Sequence, residues 1–380
     1  RKGRGRMKTA IIFGVTGQDG SYLSEFLLKN DYRVVGVHRR SSIDTTERLD
    51  GCKDNPNFSL VCGDVVDSGS IYSIINTNRP NECYNLSAQS HVATSFEQPE
   101  TTFQVNAIGT LNILEAIRTG SHNTRFYQAS TSEMFGNNHS VKPQPIDMKV
   151  TLKSPYRYQD ESTPLNPRSP YAVSKVAAHN LVFTYREAYG IHASCGILFN
   201  HESERRGDNF VTRKITSYVA SLKRGLDDTG GSDDGAKSSV VKECVYWEGE
   251  NGDEYSLPHL ELGNLDSHRD WGHAEDYVRG MWLMLQQDNP GDYVLSTGES
   301  HSVRDFLDEA FGCIGIEDWS KYVVINPKFY RPAEVDYLRG CSAKAELELG
   351  WIREVSFEEL VKRMVDSDIE KTEVELEEIE

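Results

Sequence analysis

The sequence predicts an α/β fold built on a doubly wound parallel sheet. Three observations predict it. Short β-branched runs recur at 9–13 (TAIIF), 33–37 (RVVGV), 58–62 (FSLVC), 82–86 (ECYNL), 125–130 (RFYQAS) and 193–199 (ASCGILF). Helical patterns lie between most of them, at 21–30, 68–78, 101–119 and 169–189. The first strand also runs straight into a glycine-spaced turn, GVTGQDG at 14–20. Strands and helices that alternate in this way form parallel βαβ units with helices on both faces of the sheet.

Each helix follows from spacing. In TTFQVNAIGTLNILEAIR, Phe103, Ala107, Leu111, Ile113 and Leu114 trace one helical stripe. Beyond residue 200 the order is less regular, with helices expected at 211–224, 274–287, 302–312 and 356–370. Two stretches read as inserted loops, the polar 137–160 and the Gly-, Ser- and Asp-rich 227–258. The chain has 380 residues, room for roughly two domains. The expected division is a sheet domain over 7–199 and a smaller α/β lobe over 200–370, with part of the later chain returning to the sheet. Residues 1–6 read as an arm or tag, and 371–380 as an acidic tail.

Composition narrows the function classes. A net charge of −17 argues against a nucleic-acid partner. No apolar run approaches the roughly 20 residues that span a bilayer, and no signal-peptide pattern opens the sequence, so no membrane role is expected. The seven cysteines include no CxxC pair, which fits a reducing cytoplasm better than a disulfide framework.

The glycine turn carries the first functional signal. Gly14, Gly17 and Gly20 sit between strand and helix, where glycines allow a tight turn and close approach of backbone to a pyrophosphate. An ordinary βα turn is the alternative. The second strand ends in Arg39 and Arg40 rather than an acid. Guanidiniums pair with a ribose 2′-phosphate, so NADP is expected over NAD. One of the two arginines can instead face solvent or a neighbouring subunit. Asp64, after the third strand, is placed for an adenine edge or, equally, for a helix N-cap.

The second signal is Tyr171-x-x-x-Lys175, two residues that share a helix face. A lysine cation beside a phenol favours the phenolate, which makes Tyr171 a general base. The third is QASTSEMFG after the fifth strand. Thr131 offers a hydroxyl to hold a substrate oxygen. Glu133, two residues on, aims the same way if the segment is extended. Oxidation at one carbon needs no such carboxylate, whereas removal of a proton beside a new carbonyl does. The alternative for Glu133 is a cap on the following turn. No second ligand stands at metal spacing from His201, so no metal is expected.

Together these segments resemble the GDP-mannose 4,6-dehydratase family of the extended short-chain dehydrogenase/reductases. GVTGQDGSYL, RRSS, YNLSAQSHV, FYQASTSEMFG, PRSPYAVSK, ILFNHES, RRGDNFVTRKI, LGNLDSHRDWGHAEDYV and YRPAEVD carry the likeness, over nearly the whole chain. The resemblance implies a Rossmann-like domain over 7–199, a substrate lobe after it, and a lyase that dehydrates GDP-mannose, the step towards GDP-fucose. It implies that Thr131, Glu133 and Tyr171 are catalytic and that Lys175 assists. Cofactor contacts fall on the turn (Gly14, Thr16, Gly17, Gln18, Asp19, Gly20), on Arg39 and Arg40, and on Asp64 and Val65. They fall further on Leu86, Gln89, Ser90, Lys175, His201 and Arg206. Substrate contacts fall on Ser90, Asn200, Glu202, Lys214, Arg269, Arg331 and Glu334. The family also implies a homo-oligomer, a tetramer joined through 39–50. One departure is Glu204, where relatives commonly carry proline; it is expected to loosen its loop and add a negative charge near a diphosphate. Competing readings are a 4-epimerase or 4-ketosugar reductase, which would need Tyr171 and Lys175 but not Glu133, and a catalytically silent NADP-binding sensor.

Overall fold

The structure is a computed structural model and describes residues 7–142, 156–239, 241, 243–330 and 333–377. The expected arm at 1–6, the interior of the 137–160 stretch and Arg331 lie outside the described residues. The chain forms two compact units. The first comprises Arg1–His201, Ala274–Glu299 and Leu338–Glu354; the second comprises Glu202–His273, Ser300–Tyr337 and Val355–Glu380.

In the first unit, β1 (Thr9–Phe13), β2 (Arg33–His38), β3 (Phe58–Cys62), β4 (Glu82–Asn85), β5 (Arg125–Thr131), β6 (Ala193–Leu198) and β7 (Asp292–Leu295) make one sheet. The order is β3-β2-β1-β4-β5-β6-β7, and every pairing is parallel. Strand side chains alternate between faces, and here both faces are covered. Ile11 and Phe13 join Val35, Ile71, Ile113 and Ile117 on one side. Ala10 and Ile12 join Val34, Leu23, Leu27 and Met281 on the other. Each fully buried Ile, Leu or Phe contributes about 1.5–3 kcal/mol, so a register slip of one residue would cost the whole arrangement. The strand order reverses between β1 and β4, and the carboxyl ends of strands at such a point are where open α/β sheets bind ligands.

The long helical stripe is not a single α-helix. Pro99–Phe103 passes into a turn of π-helix, Gln104–Ile108, before Gly109–Gly120. The helix bearing the Tyr-Lys pair, Pro170–Tyr189, has local start and stop signals. Ser169 caps it by accepting from the Ala172 amide at 3.0 Å, Pro170 opens it, and Gly190 closes it at φ 66°.

In the second unit the helices Val211–Thr229 and Phe357–Glu377 pack on each other. Ile215, Val219 and Leu222 share a core with Leu360, Val361 and Met364. Two loop-like expectations are corrected here. Residues 227–258 hold the end of a helix and a three-stranded antiparallel sheet, Lys237–Ser239, Cys244–Glu248 and Glu254–Pro258. Val245 and Trp247 point one way and are buried, the alternation a half-buried strand requires. Asp227 and Asp228, read as part of an acidic loop, pair with Lys223 and Arg224 one helical turn earlier. The last helix runs on to Glu377, because Lys and Glu are good helix formers and the sequence places no breaker there. At the edges of 137–160, Ser140–Lys142 pairs with Tyr156–Tyr158. Among the described residues, no helix is long and apolar enough to cross a membrane.

Candidate active site

The glycine turn follows β1 and is shaped by close packing. Gly14 has φ +79°, and a Cβ there would lie 2.8 Å from the backbone of Leu86 and Ser87. At Gly20 a Cβ would lie 2.5 Å from the Gly14 carbonyl oxygen. Gly17 differs: a Cβ there would meet only the Gly14 carbonyl oxygen, at 3.4 Å. Packing therefore demands two of the glycines, and the third leaves room on its outer side for a ligand's backbone contact. Gly17 is also the N-cap of the helix Gln18–Lys29, and no side chain caps that end. Uncapped amides and the helix dipole suit a pyrophosphate. Gly20→Ala is expected to destabilise the first unit by about 1–3 kcal/mol. Thermal and denaturant melts check this, and an unchanged midpoint would contradict the packing argument.

Several residues expected near a dinucleotide are brought together. Gln18 Nε2 donates to Asp19 Oδ1 at 3.0 Å and to the His201 carbonyl at 3.1 Å. His201 Nε2 stands 2.7 Å from Asp19 Oδ2, and its ring stacks on Tyr277 at 4.6 Å. An acid in the first helical turn complements the dipole, and the Asp19 carboxylate is engaged by the Gln18 side-chain amide and the His201 ring. Thr16 is half-buried on the same turn.

Arg39 and Arg40 follow the end of β2 and are exposed, with no hydrogen bond or ion pair among the described residues. Asp64 does not cap a helix. Its Oδ1 accepts from the Val66 amide at 3.1 Å, and the cap is Asp67, which accepts from Gly69 and Ser70. Val65 packs where a side chain on Gly109 would stand, 2.8 Å from its Cγ2. After β4, the Leu86 amide donates to the Phe13 carbonyl at 3.0 Å. Ser90 is exposed. The Gln89 side chain donates to Thr102 at 3.0 Å and accepts from the His91 amide at 2.6 Å.

Asn106, which sequence reasoning missed, holds this loop. Its Oδ1 accepts from the Gln89 amide at 2.9 Å, and its Nδ2 donates to the Gln89 carbonyl at 3.1 Å and to Ser174 Oγ at 2.9 Å. The π turn presents it, and such turns are often found at functional sites. An asparagine amid apolar residues at helical spacing was the available signal.

Thr131 ends β5, and the extended geometry assumed for Glu133 is corrected here. Residues Ser132–Phe135 form a 3₁₀ turn. Thr131 Oγ1 accepts from the Glu133 amide at 3.3 Å, so the threonine caps the turn that carries the glutamate. The hydroxyl hydrogen of Thr131 is not used in that bond. The helix Pro170–Tyr189 packs against this turn. Lys175, 3% exposed, donates to the Ala129 carbonyl at 2.9 Å and lies 5.9 Å from the Tyr171 ring centre. Burial lowers its pKa to about 8. One helical turn further, His179 Nδ1 meets Ser130 Oγ at 3.0 Å. Three residues in succession on β5 are thus tied to this helix or to the turn after it.

Among the described residues, His179, Cys195 and Asp292 stand close enough to share a metal ion. Arg186 already pairs with Asp292 at 2.5 Å, and burial holds the Cys195 thiol far above its ordinary pKa. That chemistry suits a buried polar knot better than a cation site.

In the second unit, Glu202 is 2% exposed, accepts from Thr212 Oγ1 at 2.6 Å and pairs with Arg206 at 2.9 Å. Asn200, in the first unit, is half-buried. The Arg206 guanidinium stacks on Phe210 at 3.7 Å, and Lys214 lies over Phe329 at 4.6 Å. Arg269 pairs with Glu334 at 3.1 Å, so these two expected substrate residues meet each other. The helix Val211–Thr229 begins without a side-chain cap or an acid in its first turn and carries Arg213 and Lys214 there instead. Cations at a helix N-terminus are unfavourable unless an anion joins them; Asp368 joins Arg213 at 2.7 Å, which leaves Lys214 as the cation a bound anion would offset. Glu204 does not hang loose, contrary to expectation. Its carbonyl accepts from Arg213 at 2.6 Å and Lys371 at 3.0 Å, and its carboxylate lies 3.2 Å from His273 Nε2.

Comparison with known proteins fits this geometry. A family model described as GDP-mannose 4,6 dehydratase matches residues 11–238 and 251–364, leaving out part of the three-stranded sheet. GDP-mannose 4,6 dehydratase of Drosophila melanogaster is 46% identical over 393 residues, covering 97% of this chain and 88% of that protein. The Homo sapiens protein of that name is 43% identical over 385 residues, covering 95% of this chain and 91% of the other. Among solved structures, a dTDP-glucose 4,6-dehydratase from Streptomyces venezuelae superposes with TM-score 0.74 at 21% identity, over 96% of this chain and 98% of that one. A UDP-glucose 4-epimerase from Thermotoga maritima gives 0.73 at 22%, over 96% and 99%. These structures share the fold; the sequence matches go further, and the chain belongs to the GDP-mannose 4,6-dehydratase family.

Proposed function

We propose that this chain is an NADP-dependent GDP-mannose 4,6-dehydratase, a hydro-lyase that forms GDP-4-keto-6-deoxy-mannose. The observation that carries the reading is Glu133 on a turn capped by Thr131, packed against the helix of Tyr171 and Lys175. Family membership supports the substrate, and the exposed Arg39 and Arg40 support the 2′-phosphate.

The glycine turn, Arg39, Arg40 and Lys175 would hold the dinucleotide, which when bound supplies a reversible acceptor for one hydride. The chain's own groups move the protons. Tyr171 takes the proton from the sugar O4 as C4 is oxidised, and Thr131 donates a hydrogen bond to that oxygen. The C4 ketone acidifies H5. Glu133 removes H5, and hydroxide leaves C6. C6 would take back from the bound dinucleotide the hydride that C4 gave up, and the chain's acids return a proton to C5. The O4 proton and the departing hydroxide make the water lost, so no reductant is consumed. Asn200, Glu202, Lys214, Arg269, Arg331 and Glu334 are assigned together to the sugar nucleotide. Residues 39–50 are the proposed contact of a homotetramer, which light scattering would test.

The test is mass spectrometry after incubation with GDP-mannose, UDP-glucose or dTDP-glucose, without added reductant. A product one water lighter from GDP-mannose alone is expected. An isomer of equal mass would favour the 4-epimerase instead. A further expectation concerns pH. Lys175 carries its charge below its pKa of about 8 and loses it as pH rises through that value. The rate should therefore fall on the alkaline side, and Lys175→Arg should move that limb upward. A profile unmoved by the substitution would count against the assisting role.

A further inference from the structure

The helix Pro170–Tyr189 is fastened to β5 by side chains one turn apart. Lys175 donates to the Ala129 carbonyl at 2.9 Å, and His179 meets Ser130 Oγ at 3.0 Å. The two contacts differ in duty. On the dehydratase reading Lys175 also serves the dinucleotide, whereas His179 is committed to the protein at both ring nitrogens. Its Nε2 stands 3.9 Å from Asp292 Oδ2 at the start of β7. Arg186, two turns further along the same helix, holds that carboxylate at 2.5 Å and donates from Nε to the Ala193 carbonyl at 2.7 Å. The Cys195 thiol on β6 lies within 4.8 Å of both His179 and Asp292. Burial, only partly opposed by Asp292, keeps the His179 pKa below its ordinary value, so the ring is neutral at pH 7. A neutral imidazole has one N–H and one acceptor nitrogen. The carboxylate favours the proton on Nε2, which leaves Nδ1 to accept from the Ser130 hydroxyl. The order Ser130, His179, Asp292 is that of a hydrolytic triad. Ser130 is only 4% exposed, however, and successive strand residues face opposite ways. Its hydroxyl therefore turns away from the side that Thr131 uses and is not placed as a nucleophile.

What this bond holds is backbone. Ser130 lies between Ala129, whose carbonyl receives Lys175, and Thr131, whose Oγ1 caps the turn that carries Glu133. We propose that His179 is a positioning residue for the dehydration, whose bond to Ser130 fixes the end of β5 and with it the placement of Thr131 against Tyr171 and Lys175. The inference rests on the dehydratase reading above. One sugar oxygen has to meet both Thr131 and Tyr171, and a misplacement of about 1 Å in such a pair can cost about 10²-fold in rate.

The experiment uses the full chain with Ser130→Ala, His179→Leu, His179→Asn, and Ser130→Ala combined with His179→Leu, each assayed below its melting temperature. It measures turnover of GDP-mannose and, by calorimetry, binding of NADP and of GDP. Ser130→Ala and His179→Leu are each expected to lower kcat about tenfold, with both Kd values within about twofold of the parent. Asparagine sets its side-chain carbonyl near the place of Nδ1 and can accept from the serine hydroxyl, so His179→Asn should stay within about threefold. The combined variant should lose no more than about twofold beyond either single one, because residues that act through one contact are not additive. If the parent dehydrates GDP-mannose and both Ser130→Ala and His179→Leu turn over within about twofold of it, the positioning role is overturned and the dehydratase reading stands. Kd values that worsen in step with kcat, or a His179→Asn variant as impaired as His179→Leu, would mean a merely structural role and overturn it as well. A parent chain that leaves GDP-mannose unchanged overturns the dehydratase reading, and the positioning role with it.

Discussion

Glu133→Gln is expected to lower GDP-mannose turnover by about 10²–10⁴-fold, the range for loss of a positioned general base. Glutamine has the same size and can still occupy the turn capped by Thr131, but it cannot take a proton. The defect should be confined to elimination. On the proposed reading the dinucleotide is held by the glycine turn and the end of β2, not by this side chain, so the Kd for NADP should stay within about twofold, as effects at sites without shared partners are independent. Deuterated water provides the sharper readout. The parent enzyme should place solvent deuterium at C5 of the product, because the proton Glu133 removes is replaced from its surroundings. In the glutamine variant, deuterium should enter neither product nor recovered GDP-mannose at a matching rate. A contrasting Tyr171→Phe variant loses oxidation at C4 itself and cannot acidify H5, so it too should show no exchange, and the pair separates the two proton transfers only when read with the C4 isotope effect. Turnover within about threefold of the parent in Glu133→Gln would remove the reason for preferring dehydration over epimerisation on chemical grounds.

Why some of this was legible in the sequence and some was not has a physical basis. The central strands β1, β2 and β6 are short apolar runs buried on both faces, which no loop would carry, whereas the edge strand β3 is only half-buried. β7, the four residues DYVL at Asp292–Leu295, is too short to signal itself and comes from far along the chain. The glycine turn was legible because backbone contacts at Gly14 and Gly20 leave no room for another residue. The sheet within 227–258 was missed because Gly, Ser and Asp outweigh its apolar positions. The signal was nonetheless there: Asn251-Gly252 lies between the alternating Val245 and Trp247 and the later Tyr255 and Leu257, the strongest short-range hairpin pattern. Glu133 was singled out for its residue type, while the argument for its direction failed, since a 3₁₀ turn replaces the strand after Thr131. The roles of Asn106 and of the Glu204–His273 contact depend on partners 17 and 69 residues away, and no local pattern encodes those.

The second large effect is expected at the end of β2. Arg39→Ala together with Arg40→Ala should weaken NADP binding by about 10²-fold or more while leaving NAD within about twofold. Hydrogen bonds from a guanidinium to a phosphate are worth about 1.5–3 kcal/mol each, and the 2′-phosphate is the only group that distinguishes the two dinucleotides. Both side chains are exposed, so their removal should alter stability by no more than about 0.5 kcal/mol, and a loss of affinity cannot then be ascribed to unfolding. Because the contact faces solvent, the discrimination should shrink as salt rises, with screening over about 10 Å at 0.1 M. Equal loss for both dinucleotides would refute the 2′-phosphate role. The single variants then decide between the two arginines. The one that holds the phosphate loses the preference for NADP; the one that faces a neighbouring subunit through 39–50 keeps it and instead shifts the oligomer measured by light scattering. If neither single variant changes the preference and both shift the oligomer, the end of β2 is an assembly contact, and selection of the cofactor must lie elsewhere on the crevice above β1 and β4.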